Sequence, residues 1–196
     1  MDVYEGGLKF SFRDEYNVTK FDDTSFYRKY FNRLPYSKGL DFIADSSSEI
    51  LMVEVKNCKG NEAQNRWRTE VNRTKSTTHD VIADDSFDIE IAQKVAMSIS
   101  CLVGASTKSS LADSASTLMP FYKGITSSKI TSGQKRVKVI FLLEGDFDLK
   151  TRSKAMIMQR IQESLRKKLH WLNCAVQVVD SKTVSDNCFV VGTVEE

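Results

Sequence analysis

Asp41, Glu54 and Lys56 are the residues of this chain whose types and spacing offer chemistry. Each sits in a short apolar run, Gly39 to Ala44 and Ile50 to Val55. The segment between them, Asp45 to Glu49, has turn composition, so the two runs read as the strands of a hairpin. A hairpin symmetric about Ser47 and Ser48 pairs Ala44 with Leu51, Phe42 with Val53 and Asp41 with Glu54. Alternation then places Leu40, Phe42, Ala44, Leu51, Val53 and Val55 on one wholly apolar face, and Asp41, Glu54 and Lys56 on the other with Ile43 and Met52. Directly opposed residues hold their Cβ atoms about 4.5–5.5 Å apart, and like charges there repel. A divalent cation resolves that conflict: Mg²⁺ takes one or two carboxylates together with waters and phosphate oxygens. Lys56, on the same face, could then steady a nucleophilic water or the charge growing on a phosphate. On spacing alone, a solvated polar face with a Glu54–Lys56 surface pair accounts for the same residues equally well.

The flanking sequence supplies the frame. Leu8 to Arg13 alternates as a strand. Asp22 to Leu34 reads as a helix, with Asp23 or Thr24 as N-cap, Phe26, Tyr27, Tyr30, Phe31 and Leu34 at helical spacing, and Pro35 as its stop. Ser86 to Ala105 is a helix with Ile91, Ala92, Val95, Ala96, Ile99 and Leu102 on one side; Asp84, Asp85 and Asp88 suit its dipole. Residues 107–135 contain 11 Ser or Thr in 29 positions and read as a loop or insertion, with Leu111, Leu118, Met119, Phe121 and Tyr122 as local packing. Val137 to Leu143 is a central strand, Thr151 to Leu172 an amphipathic helix, Ala175 to Val179 a strand and Phe189 to Val194 a last one. Strands alternating with helices after a hairpin imply an α/β domain, 1–196, built on a mixed sheet flanked by helices.

Composition sets outer bounds. Hydrophobic residues at 41% and charged residues at 28% are close to globular averages, and 196 residues can bury a sizeable core. Net charge is 28 − 26 = +2, so an argument for nucleic acid must rest on where the charges lie. Cys58, Cys101, Cys174 and Cys188 show no metal-ligand spacing, and His79 and His170 are far apart, which argues against zinc. Scattered cysteines suit a reducing cytoplasm. The start, Met1 to Gly7, lacks a basic region and an apolar run, so no signal peptide is expected. No stretch reads as the ~20 apolar residues of a membrane span.

At Gly39, Leu40, Asp41, Phe42 and Ile43, and again at Val53, Glu54, Val55, Lys56 and Asn57, the chain resembles the PD-(D/E)XK, restriction-endonuclease-like, nuclease superfamily. The following helix with Gln93, Lys94 and Val95, and then the strand Val137 to Leu143, keep that superfamily's order. The stretch Leu165 to Leu172 also looks like uncharacterised bacterial members. The likeness spans residues 20 to 180. It implies an αβββαβ-type core and Mg²⁺- or Mn²⁺-dependent hydrolysis of phosphodiester bonds, DNA foremost. Asp41 and Glu54 would be metal ligands, the Val55 carbonyl a third, and Lys56 the catalytic lysine. Two departures stand out: Leu40 replaces the usual Pro before the Asp, and Phe26 to Leu34 carries no acid, the nearest being Asp22 and Asp23. Some relatives use a Gln on the helix after the Glu–x–Lys strand, which makes Gln93 a candidate.

A basic run follows Lys56. Lys59, Arg66, Arg68, Arg73 and Lys75, with Trp67 among them, could grip phosphates and stack a base, or form a solvated loop anchored by Trp67. Three functions are therefore carried forward: a metal-dependent nuclease, a non-catalytic module that keeps the fold and binds nucleic acid or protein, and a nuclease-fold component that needs a partner for targeting, as in a defence or repair system. The expected partners are nucleic acid and either a further protein or a second copy in a homodimer.

Overall fold

The computed structural model describes residues 1–74, 77–78, 81–82, 85–108, 113–185 and 187–193. Lys75, His79, Asp84, Leu111 and Val194 lie outside them. In chain order the elements are β1 (Asp2–Glu5), β2 (Leu8–Phe12), β3 (Asn17–Lys20), α1 (Ser25–Lys29), β4 (Phe42–Asp45), β5 (Glu49–Asn57), α2 (Glu62–Asn65), β6 (Thr77–Thr78), β7 (Val81–Ile82), α3 (Phe87–Lys108), α4 (Met119–Ile125), α5 (Ser128–Thr131), β8 (Arg136–Glu144), α6 (Lys154–Lys168), β9 (Cys174–Val179) and β10 (Phe189–Thr193), with 3₁₀ turns at Phe31–Arg33, Arg66–Thr69 and Asp113–Leu118.

A five-stranded sheet, order β3-β4-β5-β8-β9, forms the middle layer. β3, β4 and β5 run antiparallel as a meander. β8 and β9 join parallel to β5, each after a helical crossover through α3 and α6. The register is the one the hairpin symmetry predicts, Phe42 opposite Val53 and Ala44 opposite Leu51. The ladder opens at Phe42, so Asp41 lies one residue beyond it.

The two faces of this sheet meet different layers. Ile43, Ile50 and Met52 pack with Phe87, Ile91 and Val95 of α3, and with Ile157, Ile161 and Leu165 of α6. Phe42, Ala44, Leu51, Val53 and Val55 face the other way. The sequence reading flanks the sheet with helices, but a second sheet of order β1-β2-β10 covers this face. Phe10 of β2 meets Phe42 at 5.2 Å between ring centroids. The sheet joins chain ends: Phe189 of β10 pairs with Phe12. Leu40 also departs from its expected face and packs on the helix side. The architecture is thus mixed α/β with two layered sheets and a two-stranded β6-β7 pair, and the meander's first strand, β3, precedes α1 rather than following it.

Two local expectations are corrected. The helix read over 22–34 is a five-residue α1 plus a 3₁₀ turn. Thr24 caps it by accepting from the Tyr27 N–H at 3.4 Å, but its run of Phe, Tyr and Asn loses rotamer freedom in a helix and does not extend it. The Ser/Thr-rich stretch is helical over most of 113–131 and packs Leu118 and Phe121 into the core. α3 is also long and apolar enough, at mean hydropathy 1.2, to meet a membrane-span criterion by composition; here it buries Ile91, Val95 and Leu102 in the core.

Gly39 sets the entry to β4. A Cβ there would stand 2.8 Å from Tyr27 Cε2 and 3.0 Å from its Cζ. That ring is wedged between Phe21 and Phe31, each at 5.9 Å, so it has little room to yield. Gly39→Ala is expected to cost on the order of 1–3 kcal/mol of stability, read as a lower urea midpoint. An unchanged midpoint would show that Tyr27 repacks freely.

Candidate functional site

Three backbone tethers place Asp41. The Lys38 N–H donates to Met97 Sδ at 3.2 Å and the Leu40 N–H to Ser98 Oγ at 3.1 Å, both on α3. The Asp41 carbonyl accepts from the Phe21 N–H at 2.8 Å. The Asp41 side chain turns across to β5, where its Oδ2 accepts from the Val55 N–H at 2.7 Å. The residue that the hairpin symmetry opposes to Glu54 therefore reaches β5 by its carboxylate rather than by a ladder pair.

Glu54 is fully buried and points toward α3. Its Oε1 is 2.5 Å from Lys94 Nζ and 3.0 Å from Lys56 Nζ. Its Oε2 is buried without a hydrogen-bond partner. Lys94 also lies 3.9 Å from Asp41 Oδ1, so one ammonium spans both carboxylates. Lys56 continues to Glu90 Oε1 at 3.2 Å, and Glu90 pairs with Arg68, whose guanidinium lies 4.5 Å from the centroid of the Phe87 ring. The cluster thus balances Asp41, Glu54 and Glu90 against Lys56, Lys94 and Arg68. Lys56 is its open member, with 24% of its side chain exposed. A solvated Glu54–Lys56 pair is not what forms: the pair sits under α3.

Desolvation dominates the electrostatics. It raises the Asp41 carboxyl to about 7, helped by the neighbouring Glu54 charge and opposed by Lys94 and the Val55 N–H. It also raises Glu54, against the pull of Lys94 and Lys56. Burial alone would lower Lys56, but Glu54 and Glu90 hold its ammonium above its ordinary value. Glu90, despite burial, is held below the usual carboxylate range by Lys56, Arg68 and Lys94. A carboxyl raised on folding binds its proton more tightly in the native state. Its contribution to stability therefore falls as pH rises from about 4 to about 7. Asp41→Asn removes that contribution, so its stability relative to the parent is expected to rise across this window in urea unfolding. Parallel pH profiles for the two proteins would show that Asp41 is not a strained carboxyl.

The remaining sequence-predicted residues scatter. Gln93 turns outward, is exposed and accepts from Lys38 Nζ at 3.1 Å; its neighbour Lys94 is the residue that enters the cluster. Of the basic run, Arg68 is drawn inside to Glu90, Lys59 meets Glu144 at 3.1 Å, Arg73 pairs with Glu70, Arg66 is exposed and Trp67 half-buried. Lys94 and Glu90 had one readable signal, their i, i+4 spacing on a helix face. Asp22 also belongs here: its Oδ1 is buried and unpartnered, burial raises its carboxyl, and Lys94 is among the charges it feels. Asp22, just before α1, thus feels one charge of the cluster, although the first turn of α1 carries no acid.

The chain belongs to a family of unknown function, DUF6661, which it matches over residues 24–193. That span holds all six charged members of the cluster. No curated protein and no solved structure matches the chain.

The donor set fits a hard divalent cation. Asp41 and Glu54 offer oxygens, one of which has no partner, and Mg²⁺ needs no more than one or two carboxylates. Among the described residues no three His, Cys, Asp or Glu side chains converge as a metal group. Lys94 is the competitor, since its ammonium spans the same two groups.

Proposed function

We propose that the protein is a metal-dependent nuclease that hydrolyses phosphodiester bonds, DNA foremost, on a restriction-endonuclease-like core formed by β4, β5, α3 and β8. The observation that carries this reading is the pairing of two desolvated carboxylates, Asp41 and Glu54, with a partly exposed lysine from the next position on the same face of β5. Asp41, Glu54 and the Val55 carbonyl would hold Mg²⁺ or Mn²⁺. Bound there, the cation would polarise a phosphoryl oxygen and make a coordinated water more acidic. Lys56, held charged by Glu54 and Glu90, would face the phosphate and stabilise negative charge as it develops. Glu90 would position Lys56 through their 3.2 Å contact.

A second reading has its own support. Lys94 neutralises both carboxylates from within, as would suit a binding module or partner-dependent subunit that has dispensed with a cation. Cleavage assays in Mg²⁺ and in Mn²⁺, on duplex, nicked and single-stranded substrates, separate the two. Hydrolysis that chelator stops supports the nuclease. Nucleic-acid binding that ignores chelator, with no hydrolysis of any substrate, supports the module.

A further inference from the structure

The turn after α1 presents an aromatic side chain with no structural use. Leu34 to Ser37 forms a turn closed by the Ser37 N–H donating to the Leu34 carbonyl at 3.0 Å. Pro35 and then Tyr36 occupy its central positions, and Tyr36 has φ 61°. This is the type II pattern, whose third position favours Gly or Asn. A tyrosine there is strained, and its ring is 88% exposed with no ring contact among the described residues. Strain without compensating packing points to a use outside the fold.

The surroundings say what that use is. Arg28, Lys29, Arg33 and Lys38 interleave with the aromatics of this segment. Arg28 pairs with Asp23, and Lys38 lies 3.7 Å from Asp85. Lys29 and Arg33 have no ion-pair partner among the described residues. Tyr30, 40% exposed, is already engaged by Phe26 and Lys108, which leaves Tyr36 as the open ring. A cleft of about 340 Å³ lies beside this turn, lined by Arg28, Asn32, Lys38 and Lys94 together with the acids Asp22 and Asp23, of which Asp23 pairs with Arg28; Lys94 is the lysine that touches Glu54 and Asp41. Unpaired cations beside an exposed ring match a polyanion whose repeating units carry flat faces. Inside a duplex those faces are covered by stacking; in a single strand they are open.

We infer that residues 28–38 form a binding surface for single-stranded nucleic acid, with a base stacked on Tyr36 and phosphates met by Arg33 and Lys29, and that the cleft leads this strand to the Asp41–Glu54–Lys56 cluster. The surface names the substrate of that cluster and in this respect rests on the nuclease reading. It also puts a strand contact apart from the basic run after Lys56, for which the sequence left open a phosphate grip or a solvated loop.

The test is fluorescence anisotropy of the full chain in chelator, with labelled oligodeoxyuridylate, labelled oligouridylate and a blunt duplex. Single strands are expected to bind more tightly than the duplex, the tighter of the two naming the sugar. Tyr36→Gly is expected to weaken strand binding about tenfold, while its melting temperature stays level or rises because glycine suits the turn. Tyr36→Phe should bind as the parent does. Arg33→Ala should reduce the slope of log affinity against log salt by about 0.7. No strand binding, a duplex preference, or unchanged affinity in Tyr36→Gly overturns the inference. The two readings fail separately. Binding that depends on Tyr36 with no cleavage in Mn²⁺ overturns the nuclease and keeps the surface. Cleavage of single strands that Tyr36→Gly leaves intact overturns the surface alone.

Discussion

Lys56→Met is expected to lower metal-dependent cleavage by at least about 10²-fold, the usual cost of removing a donor aimed at developing charge, while strand affinity in chelator changes little. The fold should survive, because the substitution leaves each buried partner with another cation. Glu54 keeps Lys94 and Glu90 keeps Arg68. The loss should fall on kcat rather than KM, since the group acts where charge grows and not where substrate is held. Glu54→Gln should fall further and should also weaken the response to Mn²⁺, since a neutral amide is a poorer ligand for a hard cation. Lys56→Met with full activity would remove the lysine from the chemistry. Glu54→Gln with full activity would end the nuclease reading altogether. Wild-type circular dichroism spectra for both variants secure the interpretation.

The legible part of this site is the part that local chemistry encodes. Period-two alternation and the Asp45–Glu49 turn were enough to place Phe42 opposite Val53 and to assign Glu54 and Lys56 to one face. The departures have a common cause, contact across sequence distance. Lys94 reaches Glu54 from a helix forty positions on, and its one local signal, the i, i+4 spacing from Glu90, is equally that of a surface ion pair. The cover over Phe42 and Leu51 comes from β2 and β10, at opposite ends of the chain, and β10 looks from its own sequence like one more strand of a single sheet. The Ser/Thr-rich segment was hidden by composition. Its core contacts rest on Leu118, Phe121 and the close approach of Gly124, where a Cβ would stand 2.8 Å from Asp45 Oδ1. Asp88 shows the same blindness: it reads as an acid placed for the helix dipole, yet it is buried and gathers the hydroxyls of Ser86 and Ser164 with Lys168 between α3 and α6.

Lys94→Met is expected to destabilise the protein by about 3 kcal/mol, the scale on which removing one partner of a buried ion pair is felt. Unlike the loss of Lys56, this one takes the ammonium from two buried carboxylates at once: Asp41 loses its ion pair, and Glu54, with no exposure to water and an Oε2 that already lacks a partner, loses the nearer of its two cations. Most of the loss should return in the double variant Glu54→Gln, Lys94→Met, because a neutral amide beside a thioether leaves no uncompensated charge. The same variant then separates the two roles of the lysine. If a divalent cation competes with the ammonium for Asp41 and Glu54, removing the ammonium tightens cation binding, and a ligand that binds only the native state stabilises in proportion to the logarithm of its concentration over Kd. Mn²⁺ should therefore raise the melting temperature of Lys94→Met by more than that of the parent, and should not raise that of the double variant comparably. A Lys94→Met protein that is destabilised but indifferent to Mn²⁺ would instead make Lys94 a permanent counter-ion, and the site a place where the fold carries its own cation.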